Sequence, residues 1–142
     1  MLVVGGLGVR QDNMRSAGLM VALVDDDESV REALPDLLRE FGYSARAFSS
    51  AEEFLESATL QTARCLIADV AMPGMTGPEL QRELRTRGNS VPVVFITARE
   101  DETLRARLLA EGAVDCLYKP FSDTALQDAL RAALATSQSV IK

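Results

Sequence analysis

The chain has 142 residues, a quarter of them charged, and a formal net charge of -6. That length suits one domain with a full core, and 47% hydrophobic residues is the balance of a soluble globular chain. The absence of His removes His general bases, Ser-His triads and His-ligated zinc, while the acidic balance argues against non-specific nucleic-acid binding.

Residues 1–18 are Gly-rich, lack the charged start and long apolar core of a signal peptide, and are expected to form a flexible leader. No apolar run approaches membrane-spanning length, so a cytoplasmic chain without a membrane anchor is expected. Met20 to Val24 reads as a first strand that runs into Asp25-Asp26-Asp27. Val30, Ala33, Leu34, Leu37, Leu38 and Phe41 then recur at helical spacing, with Pro35 inside the helix and Gly42 at its end. Tyr43 to Phe48 reads as an edge strand, and Ser50-Ala51-Glu52-Glu53 as a capping box opening a short helix.

Arg64 to Asp69 is apolar nearly throughout, the pattern of a strand buried on both faces. Thr76-Gly77-Pro78-Glu79 caps a helix through about Arg87. Val91 to Ile96 forms the fourth strand, followed by a helix from Glu100 to Glu111 whose thin apolar face, Leu104 and Leu108, predicts loose packing. Val114 to Tyr118 is the fifth strand, Ser122 to Ala135 the last helix, and residues 136–142 a polar tail or the start of a linker. Five strands alternating with five helices predict an α/β, three-layer, doubly wound fold of residues 19–135. Cys65 and Cys116 both lie in apolar runs and read as free buried thiols.

In a parallel α/β sheet the carboxyl ends of the strands share one rim, where ligands bind. Asp25 and Asp26 follow the first strand, Asp69 closes the third, Thr97 follows the fourth and Lys119 the fifth. Carboxylates, a hydroxyl and an ammonium thus converge, a set suited to a hard divalent cation and a phosphoryl group. Clustered carboxylates repel, which raises at least one pKa until a cation neutralises them. Taken singly, each residue has a plainer reading: Asp27 as a solvated helix cap, Lys119 as a surface lysine, Thr97 as an ordinary strand-end hydroxyl. Glu52, Glu53, Glu100, Asp101 and Glu102 read as solvated helix starts, and Arg82, Arg85 and Arg87 as a solvated face.

Taken together, Val24-Asp25-Asp26-Asp27, Asp69-Val70-Ala71-Met72-Pro73-Gly74, Thr97-Ala98 and Lys119-Pro120-Phe121 resemble the receiver domain of two-component response regulators, of the kind that precedes helix-turn-helix output domains. The resemblance covers Leu19 to about Ala135 and implies a (βα)5 flavodoxin-like fold with strand order 2-1-3-4-5. It implies Asp69 as phosphoacceptor and Mg2+, with Mn2+ as a substitute, held by Asp26, Asp69 and the Ala71 backbone carbonyl, with Asp25 acting mainly through water. Thr97 and Lys119 would bond phosphoryl oxygens, and Lys119-Pro120 would be cis. The implied partner is a sensor histidine kinase or phosphotransfer protein, with a homodimer through the last two helices and fifth strand, and no direct nucleic-acid binding.

Three positions depart from the family pattern. Cys116 replaces the usual aromatic residue that swings inward on activation, and Ala71 and Arg99 occupy the two positions that flank the phosphoryl group and tune its lifetime. A pseudo-receiver working without phosphate, a small phosphohydrolase and an FMN-binding flavodoxin-like protein are the competing readings. Intact Asp25, Asp26, Asp69, Thr97 and Lys119 weigh against the first, Ala71 against the second, and the lack of a Ser/Thr-rich phosphate loop against the third. The expected function is a phosphorylation-dependent switch, not a turnover enzyme.

Overall fold

The computed structural model describes residues 18–141, and side chains only as far as 136. Apart from Gly18, which stands in a turn, the expected leader lies outside the described residues. Apolar strand-length runs separated by amphipathic segments cannot bury both kinds of face except by winding helices onto a sheet. The chain does so: β1 Met20–Val24, α1 Glu28–Glu40, β2 Ser44–Phe48, α2 Ala51–Leu55, α3 Thr59–Thr62, β3 Ala63–Asp69, α4 Gly77–Thr86, β4 Val93–Thr97, α5 Glu102–Ala110, β5 Asp115–Tyr118 and α6 Asp123–Ile141. All strand pairings are parallel, and the order is β2-β1-β3-β4-β5. This is the doubly wound flavodoxin-like fold.

Alternation along the strands sends successive side chains to opposite faces and so builds two cores. Ala22, Val24, Leu66, Ala68 and Phe95 pack on one face with Phe54, Leu80 and Leu108 of α2, α4 and α5. Val21, Leu23, Ile67, Val94 and Ile96 pack on the other with Leu34 and Leu38 of α1 and Leu126, Leu130 and Leu134 of α6. Cys65 belongs to the second core and Cys116 to the first, so the sheet itself separates these free thiols.

Three local expectations are corrected. The second helical segment splits into α2 and the added turn α3, so the alternation is not strict. The last helix continues to Ile141 where a polar tail after Ala135 is expected. Residues 136–141 contain neither Gly nor Pro, and Ser, Thr and Gln each cost only a few tenths of a kcal/mol in a helix already nucleated. The helix before β5 starts at Glu102, because Asp101 caps it by accepting from Leu104 N at 3.1 Å.

The β5–α5 edge is polar. Among α5 side chains only Leu108 is fully buried, in keeping with the thin apolar face. Arg105 donates from Nε to the Cys116 carbonyl at 3.0 Å and from Nη2 to Asp115 Oδ1 at 2.9 Å. The Tyr118 hydroxyl donates to Glu102 at 2.8 Å. α6, by contrast, buries Leu126, Ala129, Leu130, Ala133 and Leu134. No described helix is long and apolar enough to cross a membrane.

Candidate functional site

The chain winds from β1 outward to β2, then returns across β1 to β3, and this reversal leaves a crevice beyond the carboxyl ends of β1 and β3. Asp25 follows β1 directly and Asp69 is the last residue of β3, so the two carboxylates meet there. One carboxylate oxygen each from Asp25, Asp26 and Asp69 lies within 4.8 Å of the others. Lys119, just past β5, places Nζ 3.0 Å from Asp25 Oδ2 and 3.7 Å from Asp69 Oδ2. The Lys119-Pro120 bond is cis, as expected.

Asp25 is fully buried and both its oxygens are engaged, Oδ1 by Asp27 N at 2.9 Å and Oδ2 by Lys119. Asp26 is exposed, at the solvent side of the cluster. Asp69 is 8% exposed. Burial, then the charge of Asp25, pushes its carboxyl up to about 6, with Lys119 opposing the rise. Asp27 stands apart from this cluster as the exposed N-cap of α1: hydrogen bonds from Ser29 hold its carboxyl below the usual value. The plainer reading was the correct one there.

Thr97 closes β4 and is buried, its hydroxyl oxygen accepting from Arg99 N at 3.1 Å. The hydroxyl proton remains available for a second partner. The Thr97 carbonyl accepts from Lys119 N at 2.8 Å, which ties the ends of β4 and β5 together. Ala71 is exposed in the loop after β3, and Arg99 is exposed in the loop after β4. Cys116 is buried in β5, and that burial raises its thiol pKa.

Two residues named only as parts of helix starts take on further roles here. Gly77 opens α4 so close to β3 that a Cβ there would lie 2.3 Å from the Asp69 carbonyl oxygen and 3.0 Å from the Phe95 ring. Only glycine lets that helix approach the strand end. Glu52 is an exposed residue of the first turn of α2, as expected, and in addition accepts from Met75 N at 3.1 Å. The signal for Gly77 lay in its place between the Thr76 cap and Pro78; nothing local marked Glu52.

An all-oxygen donor set around excess negative charge fits Mg2+, which keeps several waters and needs few protein ligands. Beside Lys119 a groove of about 440 Å³ runs along α1, lined by Val30, Ala33, Leu34, Leu37, Pro120 and Phe121.

Residues 21–131 match the family described as "Response regulator receiver domain". The response regulator protein TodT of Pseudomonas putida is 39% identical over 122 residues, which are 86% of this chain and 54% of TodT. The transcriptional regulatory protein FixJ of Azorhizobium caulinodans is 40% identical over 119 residues, 84% of this chain and 56% of FixJ. The solved structure of the response regulator StyR superposes with a TM-score of 0.79 at 41% identity, covering 87% of this chain and 62% of StyR. The chain spans about half the length of the curated relatives it matches.

Proposed function

Since the chain belongs to the receiver-domain family of response regulators, we propose that it is a phosphorylation-activated switch in which Asp69 accepts a phosphoryl group from a histidine kinase or phosphotransfer protein. The observation that carries this reading is the cluster of three carboxylates within 4.8 Å, with a lysine ammonium 3.0 Å from one of them. An Asp69 oxygen attacks phosphorus in line with the leaving imidazole; the P–N bond breaks as the P–O bond forms. Asp26, Asp69 and the Ala71 carbonyl would hold Mg2+, with Asp25 supporting through water, and Mn2+ would substitute. When bound, the metal supplies neutralisation of charge on the transferring oxygens. Lys119 pairs with one phosphoryl oxygen, moving from its present bonds to Asp25 and Asp69, while Thr97 donates its hydroxyl proton to another.

The apolar groove along α1 opens beside Lys119 and suits a helical donor protein laid next to the site. Response propagates through the loop after β4 into α5, which is attached to β5 by polar contacts. Cys116 is too small to fill space vacated by Thr97, so the threonine and the loop carry the change. The outcome is a surface on α5, β5 and α6 that pairs with a second copy or an output domain. The relatives' names point to transcriptional control, exerted by a partner or output domain in the cytoplasm and not by direct nucleic-acid contact of these residues. The domain acts as a switch and not as a turnover enzyme.

The deciding experiment adds a small acyl phosphate and Mg2+ and reads intact mass. One phosphoryl group is expected on the parent chain, none without metal and none in Asp69→Asn. Undiminished labelling of Asp69→Asn would overturn the assignment.

A further inference from the structure

We propose that Glu52 is a positioning residue for the loop after β3, the loop expected to supply the Ala71 carbonyl to Mg2+; this rests on the functional reading above. The loop is closed at its base by Gly77 N donating to the Val70 carbonyl at 3.0 Å. Within it, Met72 is anchored in the core, whereas Ala71 is exposed and has no side-chain anchor of its own. The aim of its carbonyl therefore follows from how the rest of the loop is held.

Glu52 supplies a hold from outside. Its Oε2 accepts from Met75 N at 3.1 Å, and a Cβ added at Gly74 would lie 3.1 Å from the same oxygen. The carboxylate thus packs directly on the backbone of the turn, where Gly74 has φ +74°. The base of this strut is rigid: Ala51 and Phe54 of α2 are fully buried, and Ser50 caps the helix by accepting from Glu53 N at 3.1 Å. An amide donating to a carboxylate makes a charge-assisted hydrogen bond, stronger than a neutral one. The neighbouring Glu53 already serves the helix start, accepting from both N and Oγ of Ser49. Glu52 is left free to serve the loop.

Groups that orient metal ligands from behind affect affinity strongly, and a solvent-exposed strut one step removed acts more weakly. Isothermal titration of the full chain with MgCl2, without phosphodonor, tests this. Glu52→Ala should bind Mg2+ about threefold to tenfold more weakly than the parent. Glu52→Asp, which keeps the charge but is one methylene short of Met75 N, should weaken binding similarly. Glu52→Gln, whose amide oxygen still accepts, should stay within about twofold of the parent. Amide exchange at Met75 should speed up in the Ala and Asp variants and not in Gln. Parent-like Mg2+ affinity in both Ala and Asp would overturn this inference alone, as would a Gln variant as weak as Ala. A parent chain that binds no Mg2+ would take down the functional reading, and this inference with it.

Discussion

Two charged regions of the sheet are built on opposite principles. At the β1–β3 crevice, Asp25, Asp26 and Asp69 face a single ammonium, so negative charge is left over. At the β5–α5 edge, Arg105 meets Asp115, whose Oδ1 also accepts from Cys116 N, and the Tyr118 hydroxyl donates to the exposed Glu102. Uncompensated charge in a partly buried place costs stability and is retained where a ligand will cancel it. A solvent-accessible ion pair such as Arg105–Asp115, and a hydroxyl on an exposed carboxylate, cost little and hold weakly. On the function proposed above, the first arrangement is a binding site and the second a joint.

The largest effect expected from breaking this contrast is at Asp69. Asp69→Asn should abolish phosphoryl incorporation altogether while the chain stays folded, as read by mass and circular dichroism. Next comes Asp26→Ala, which removes the exposed member of the cluster and should weaken Mg2+ binding by at least about tenfold in a calorimetric titration. Parent-like affinity in that variant would remove Asp26 from the ligand set.

A third test uses pH. The folded Asp69 carboxyl titrates at about 6, against an ordinary value of 3.8, so between these values the folded chain keeps a proton that the unfolded chain releases. The resulting stabilisation is full below about pH 4 and is lost as pH rises through about 6. Relative to Asp69→Asn, the parent should lose about 1–3 kcal/mol across that window in metal-free denaturant titrations, and saturating Mg2+ should restore part of it. A flat difference would mean that burial and the charge of Asp25 do not together raise the folded Asp69 carboxyl. The smallest effect belongs to the joint. Arg105→Ala should cost only about 0.5–1 kcal/mol, yet amide exchange in α5 should speed up while α6 stays protected.

Much of this contrast was legible before any coordinates. Apolar runs of strand length, each ending in a polar residue of distinct chemistry, placed Asp25, Asp26, Asp69, Thr97 and Lys119 on one rim, because strand direction alone dictates where their ends point. What stayed hidden depends on distance or on small energies. The Glu52 bond to Met75 joins segments that no local pattern relates, and the tie from Arg105 to the Cys116 carbonyl uses a backbone group that every residue possesses. The close approach at Gly77 is a matter of tenths of an ångström. The continuation of α6 past Ala135 turned on helix propensities that differ by less than thermal energy per residue.

The two cysteines, one in each core, make the chain a ready scaffold for spectroscopic labelling. Thiolate, not thiol, reacts with maleimides and methanethiosulfonates; burial pushes Cys65 up to about 12 and raises Cys116 as well. Neither sulfur competes for a probe in the folded state. A reporter pair attached through Ala106→Cys on exposed α5 and Ala132→Cys on exposed α6 would sit on a native background, and electron-spin distance distributions between them would record how far the joint travels relative to its anchored neighbour.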